Sequence, residues 1–187
     1  MAGAQVTINN SLVPVPIFYA TPTQIGIQIP TDLTGTAATV QVTVAGQPAA
    51  IRTISSDAFS PGIFSFSGDG RGPGAITHAD GTPVSASSPA QRGEVVSIYA
   101  TGLGQVTPAV PTGALPSGTA TTVTRPTVTI DSIAAEVQFS GLSGCCVGIN
   151  QVNVRVPANA RVSNAVPVVL FISGKQSNTV TMAVAGP

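Results

Sequence analysis

Residues capable of acid–base or nucleophilic chemistry are few in this sequence, and they do not form a recognisable motif. The single histidine, His78, lies beside a predicted hairpin turn, Ala79-Asp-Gly-Thr82. A Ser-His-Asp triad or a His-rich zinc site needs partners for the histidine, and no motif here supplies them. We therefore interpret His78 as an exposed structural residue and expect the chain to have no catalytic residue.

Two further patterns resemble cofactor or metal sites only in composition. The run Gly68-Asp-Gly-Arg-Gly-Pro-Gly74 is rich in glycine, but a phosphate-binding loop also needs a strand before it and a helix start after it. Asp69 and Asp80 are candidate calcium ligands, yet calcium takes about six to eight oxygens and the D-x-D-x-D spacing is absent. We expect no cofactor and no metal site.

Cys145 and Cys146 are adjacent in the chain. Neighbouring Cα atoms lie ~3.8 Å apart, which is below the usual range for a disulfide, so a vicinal disulfide would be a strained ring. Three interpretations stay open: two small residues in a turn, a vicinal disulfide, and pairing with another molecule.

Phe18 and Tyr19 form the only adjacent pair of aromatic residues, and the sequence has no tryptophan. Side chains alternate between the two faces of a strand, so one of the pair must face outward if they lie on one. The alternatives are a contribution to the core and a surface that binds a sugar or a protein partner.

The composition favours β-structure and excludes several classes of partner. Only 7% of the 187 residues are charged and the net charge is zero, so no basic surface is available for nucleic acid. No apolar run approaches the ~20 residues that span a bilayer. Low lysine with abundant Thr, Ser, Gly and Asn is typical of extracellular bacterial β-proteins, and we expect a secreted chain whose leader is not present here.

A repeat organises the chain. Gln24-Ile-Gly-Ile-Gln-Ile-Pro30 aligns with Gln151-Val-Asn-Val-Arg-Val-Pro157, and both alternate apolar and polar residues as half-buried strands do. A short strand pattern precedes each copy, and an apolar strand ending at glycine follows each copy. The flanking segments are Val6–Ile8 and Val128–Ile130 before, and Thr39–Gly46 and Val166–Gly174 after.

Short alternating strands between Gly- and Pro-rich turns predict an antiparallel β-sandwich. We expect an all-β chain of two tandem immunoglobulin-like domains, at residues 1–66 and 89–187. Residues 67–88 are predicted to be a linker with a hairpin, and residues 107–122 a long loop.

Several phrases resemble a known family. Gly93-Glu-Val-Val-Ser-Ile-Tyr-Ala-Thr-Gly-Leu-Gly104 is similar to the opening strand of IPT/TIG-type immunoglobulin-like domains. With Thr21–Pro30, Ser60–Phe64 and Gly141–Pro157, it makes the chain resemble the C-terminal domain of large secreted acidobacterial proteins of the Solibacter type. The cysteine pair and Ile149-Asn150 depart from that pattern. The family has no catalytic residues to carry over.

The resemblance also implies a strand before Val6–Ile8. Either a preceding stretch of chain contains that strand, or a neighbouring molecule supplies it by β-augmentation. We therefore predict an extracellular structural or cell-adhesion module that assembles with itself or with other extracellular proteins, in the self-association case as filaments. The alternative is a carbohydrate-binding module that binds glycans through Phe18 and Tyr19.

Overall fold

The computed structural model describes residues 3–186, and these contain strands, turns and loops but no helix. The prediction of an all-β chain is therefore confirmed. The chain divides into two compact units. The first unit comprises residues 3–58 together with Val110–Leu115, and the second comprises Phe59–Ala109 and residues 116–186.

The first unit contains five strands in two small antiparallel sheets. One sheet has the order β1-β4-β5, and the other pairs β2 with β3. The strands are β1 (Ala4–Ile8), β2 (Ile17–Ala20), β3 (Ile25–Ile27), β4 (Ala37–Val44) and β5 (Gln47–Ser55).

The second unit contains twelve strands in one sheet, and eight of them form a continuous path in the order β6-β9-β14-β13-β12-β15-β17-β8. β7 pairs with β9, β16 with β15, and β10 joins β13 through β11. The strands are β6 (Gly62–Ile63), β7 (Ile76–Thr77), β8 (Ala90–Gln91), β9 (Val95–Thr101), β10 (Val106–Thr107), β11 (Thr121–Thr122), β12 (Thr127–Ile130), β13 (Ile133–Leu142), β14 (Asn150–Arg155), β15 (Ser163–Ile172), β16 (Lys175–Gln176) and β17 (Val180–Ala185).

The core of the second unit follows from period-two alternation. In β9 the side chains of Val96, Ile98 and Ala100 are buried, and in β14 those of Val152 and Val154 are buried. They belong to one continuous apolar cluster with inward residues of β12, β15 and β17. Burying one face of each strand is the main stabilising contribution to such a layered fold.

The first unit has a much smaller core. Only Val6, Ile8, Val15 and Ala38 are buried apolar residues, and six others, including Ile25 and Ile27, are partly buried against them. Every residue of β5 is exposed. The first unit therefore buries little of the apolar surface that its strands carry.

The sequence repeat reappears as a repeat of strand pairing. β1 pairs with β4 as β12 pairs with β15, and β2 pairs with β3 as β13 pairs with β14. β2 has a bulge between Ile17 and Tyr19, and β13 has one at the matching place, between Val137 and Phe139.

The turns repeat as well. Two pairs of residues with positive φ in the first unit have counterparts in the second, at the same distances from the aligned strands. These pairs are Asn9–Asn10 with Asp131–Ser132, and Ala45–Gly46 with Ser173–Gly174. Matching pairings, bulges and left-handed turns indicate that the two units share one supersecondary plan.

The segment predicted to link two domains is instead part of the second unit. The first unit ends at Ala58 rather than at residue 66, and residues 67–88 lie within the second unit. Ile76 and Val84 from this segment are part of its core, and β7 pairs with β9. β6 and β7 have two residues each, so they are too short to give an alternating pattern, while the surrounding Gly and Pro resemble a linker.

The long loop predicted over residues 107–122 also has structure of its own. It begins in β10 and ends in β11, which pair with each other. Between them, Val110–Leu115 belongs to the first unit.

Candidate interaction surface

The two aromatic residues Phe18 and Tyr19 lie together on the hairpin formed by β2 and β3. Tyr19 pairs with Gly26 of β3, and the bulge between Ile17 and Tyr19 leaves Phe18 without a paired residue. Their exposed fractions are 46% and 44%. The sequence predicted that one of the pair must face outward if they lie on a strand; the bulge, which alternation does not reveal, leaves both accessible.

Gly26 lies directly against the ring of Tyr19. A Cβ atom at this position would overlap the ring of Tyr19, so the absence of a side chain allows the ring to lie against the strand. This is a close approach of an aromatic ring to a strand glycine, an arrangement that shields the backbone of a short sheet.

The other edge of β3 has no partner strand among residues 3–186. In the repeat, β14 is flanked by β13 on one side and by β9 on the other. No strand of the described first unit takes the place of β9.

Burial along the aligned strands reflects this difference. Val152, Val154 and Val156 in and after β14 are fully buried, and Val156 also exchanges backbone hydrogen bonds with Gly93 and Glu94 at the start of β9. The aligned residues of the first unit are less protected: Ile25 and Ile27 are partly buried, and Ile29 is 44% exposed. Alternation places Ile29 on the same face as Ile25 and Ile27, yet Ile29 is not buried with them.

The strand β5 is likewise more exposed than its counterpart in the second unit, β17. Arg52 pairs with Val40 and Ile54 with Ala38, just as Val180 pairs with Val168 and Met182 with Val166. Val180 and Met182 are buried, whereas both of their counterparts in β5 are exposed.

The far end of the β2–β3 hairpin is covered by the segment Val110–Leu115. The Gln28 side chain is buried, and its Oε1 accepts a hydrogen bond of 2.7 Å from the Gly113 backbone N–H. The Thr31 N–H donates to Thr112 Oγ1 at 3.0 Å. This segment fixes the end of β3 while the edge at Ile25–Ile27 stays open.

His78 has the polar partners that the sequence did not reveal. Its Nδ1 lies 2.5 Å from Glu94 Oε1, and its Nε2 lies 3.2 Å from Ser88 Oγ. The order serine–histidine–carboxylate is that of a hydrolytic triad, so the prediction that His78 lacks such partners was wrong. The Asp-Gly hairpin turn beside it is confirmed, since the Gly81 N–H donates to the His78 carbonyl.

The contacts of the ring favour a structural imidazolium over a general base. Nε2 also lies 3.1 Å from the Ser88 carbonyl oxygen, so both ring nitrogens face acceptors and are best satisfied when both are protonated. The hydrogen bond to Glu94 raises the pKa of His78, although burial acts in the opposite direction. A protonated ring cannot take the proton of Ser88.

The glycine-rich run forms a closed turn whose polar groups bond with one another. Asp69 Oδ1 accepts from Ser67 Oγ at 2.6 Å and from the Arg71 N–H at 3.0 Å, and these bonds lower the pKa of Asp69. Asn178 Nδ2 donates to the carbonyls of Gly70 and Ile63. Asn178 therefore anchors the run, a role that nothing in the local sequence indicated.

Asp80 likewise satisfies its own turn. Its Oδ1 accepts from the N–H and Oγ1 of Thr82, which lowers the pKa of its carboxyl group. Among residues 3–186, no group of three or more His, Cys, Asp or Glu side chains is arranged to hold a metal ion.

Cys145 and Cys146 lie in the loop between β13 and β14, and both are free thiols. Cys145 Sγ is 2.8 Å from Ser143 Oγ. Hydrogen bonds from the Cys146 thiol and from Ser143 lower the pKa of Cys145, whereas its neighbour raises the pKa of Cys146. A vicinal disulfide between them, or pairing with another molecule, would require oxidation of these thiols and stays a prediction.

This chain has little detectable similarity to known proteins. No family model matches the chain, and no curated protein matches it. Among solved structures, the crystal structure of the I9–I11 tandem from titin matches 100% of this chain and 56% of that chain, with 9% identity and a TM-score of 0.28. This chain therefore spans a little over half of the titin segment, and a likeness at that TM-score does not define the fold.

Within residues 3–186, no helix is long and apolar enough to cross a membrane.

Proposed function

We propose that this chain is a structural or adhesive module of two immunoglobulin-like sandwich domains, which acts outside the cell by associating with other protein chains. The observation that carries the proposal is the exposure of the first unit: β5 is exposed along its whole length, and β3 has one open edge among residues 3–186. Unpaired strand edges are sites at which further chains add to a sheet.

The distribution of apolar surface supports association through the first unit. Large apolar side chains of this unit are exposed although its core is small. They are Leu12, Val13, Phe18, Tyr19, Ile29, Val44, Ile51, Ile54 and Leu115. These side chains are the apolar surface that this unit offers to a partner chain.

The chemistry of the chain supports a binding role rather than catalysis. Both ring nitrogens of the histidine in the serine–histidine–glutamate contact lie beside acceptors and its pKa is raised, which favours the protonated form, and the carboxylates of Asp69 and Asp80 bond within their own turns. The resemblance to the C-terminal domains of secreted acidobacterial proteins agrees with an extracellular, non-enzymatic module of IPT/TIG type.

The assembly state of the purified chain tests this function. We expect oligomers or filaments that grow with chain concentration, measured by light scattering and negative-stain microscopy. Ile54→Asp should reduce this association because Ile54 is an exposed apolar residue on the face of β5 that corresponds to the buried face of β17, and Thr53→Asp, on the opposite face of the same strand, should not. A monomer at every concentration would rule out self-assembly.

A second candidate is glycan binding, favoured by the exposed aromatic pair on the bulge. Flat rings with an apolar face and a polar rim suit the stacking of sugar rings. On a glycan array, Tyr19→Ala should weaken binding by about three- to tenfold. Phe66→Ala removes an aromatic residue that is also exposed, but in the second unit, and should leave glycan binding unchanged. Equal loss in both variants would contradict a sugar site at Tyr19.

A further inference from the structure

We infer that the open edge of β3 is an acceptor site for one extended segment of a second protein chain, and that this segment has the residue pattern of β9. This inference rests on the proposed association function and specifies its partner. The second unit provides the template, because it contains the same strand plan with the corresponding position filled.

The template defines the register of the added strand. β9 runs antiparallel to β14, with Ile98 opposite Val152 and Val96 opposite Val154. Ile25 and Ile27 align with those two valines in the repeat. The added strand should therefore run antiparallel to β3 and place two inward apolar side chains opposite Ile25 and Ile27.

The template also defines the chemistry of the partner. Inward positions of β9 are Val96, Ile98 and Ala100, all fully buried, whereas the intervening positions are only partly buried. β3 and its flanks from Gln24 to Pro30 include no charged side chain. An uncharged segment with apolar residues at alternate positions fits this edge, and a charged inward residue would be buried without a counterion.

The exposure of the Ile29 side chain should depend on whether a strand is bound at this site. Its counterpart Val156 is held by the start of β9 through the Glu94 carbonyl, which accepts from Val156 N–H at 2.8 Å, and through Gly93 N–H, which donates to the Val156 carbonyl at 2.8 Å. A strand added to β3 in this register should cover Ile29 as β9 covers Val156.

A labelled synthetic peptide with the sequence of residues 92–104 is the probe. We expect saturable binding to the full chain, measured by fluorescence anisotropy. Ile29→Asp should weaken binding by about tenfold or more, and Leu12→Asp, at a fully exposed apolar residue outside the strands, should not. Both variants alter exposed side chains, so both should fold, which circular dichroism can verify.

Peptide variants test the register without altering the protein. Replacing Ile98 of the peptide with Asp should abolish binding, and replacing Ser97 with Asp should preserve it, because only Ile98 points inward. Absence of saturable binding, or equal effects of the Ile98 and Ser97 changes, would overturn the inference.

The outcome separates this inference from the function on which it rests. A chain that assembles but neither binds the peptide nor is dissociated by it associates through another surface, and only the β3 site is then refuted. A monomeric chain that binds the peptide in the stated register retains the acceptor site, and only self-assembly is then refuted.

Discussion

His78 illustrates how one residue joins segments that are distant in the chain. It connects the hairpin that begins at β7 to Glu94, immediately before β9, and Glu94 Oε2 in turn accepts from the Gln91 N–H at 2.8 Å. Asp80 and Glu94 are the acidic groups whose charges act on the ring. The pair is a hydrogen-bonded contact at the edge of the second unit, and its strength depends on the protonation of the imidazole.

The raised pKa of His78 makes a pH prediction. The ring binds its proton more tightly when folded than when unfolded, so its contribution to stability is full below the ordinary pKa of ~6.5 and is lost as the pH rises through the folded value. His78→Gln should therefore lower the melting temperature by about 2–4 °C at pH 5.5 and by less at pH 9.

Thermal unfolding followed by circular dichroism at both pH values measures this difference. Asp131 bonds elsewhere, to Arg161, so Asp131→Asn provides a control that removes a partly buried charge without changing a histidine. An effect of His78→Gln that is the same at both pH values would show that the charged form of the ring contributes nothing.

At the scale of strands, alternation and the repeat predicted most of the long elements. Val6–Ile8, Thr39–Gly46 and Gln151–Pro157 all contain or overlap strands, because a half-buried strand imposes period two on the sequence. The bulge at Phe18 and the two-residue strands β6 and β7 could not be predicted, since each depends on partners remote in sequence. For the same reason, the contacts of His78 with Glu94 and Ser88 could not be predicted from the sequence.

Gly102, which directly follows β9, permits a close approach between two segments of the second unit. It has a positive φ, and its carbonyl accepts from the Ser60 N–H at 3.0 Å. A Cβ atom at Gly102 would overlap the Ser60 carbonyl group. We expect Gly102→Ala to lower the free energy of unfolding by about 2–4 kcal/mol.

Gly81 is the matched control for this substitution. It also has a positive φ, but nothing lies within 4 Å of a Cβ atom built there. Gly81→Ala should therefore lower the free energy of unfolding by only about 1 kcal/mol, which is the cost of placing alanine in a left-handed backbone conformation. Chemical denaturation of both variants gives the comparison, and equal losses would mean that the contact with Ser60 adds no cost.

For the whole chain, the contrast between the two units is the main physical feature. The same supersecondary plan encloses an extensive core in the second unit and a small one in the first. Amide protection follows the number of buried apolar contacts around a strand. The two units should therefore differ in local stability although their strands pair in the same registers.

Hydrogen exchange measured by mass spectrometry tests this difference. We expect amides of β4 and β5 to exchange at least about tenfold faster than those of β9 and β14, because little apolar surface protects them. Addition of the residue 92–104 peptide should slow exchange in β3 and leave β14 unchanged. Equal protection in the two units of the free chain would contradict the contrast.

The uncharged edge of β3 has a consequence for kinetics. Gln24–Pro30 carries no charged side chain, so electrostatic steering toward this edge should be weak and association should proceed at the ~10⁵–10⁶ M⁻¹ s⁻¹ typical of neutral surfaces. Added salt should then change neither the association rate nor the affinity appreciably, since there is little for counterions to screen. Differences in affinity among partner strands would arise in how slowly they leave. An edge of this kind would keep its partner equally well in fresh water and in brine.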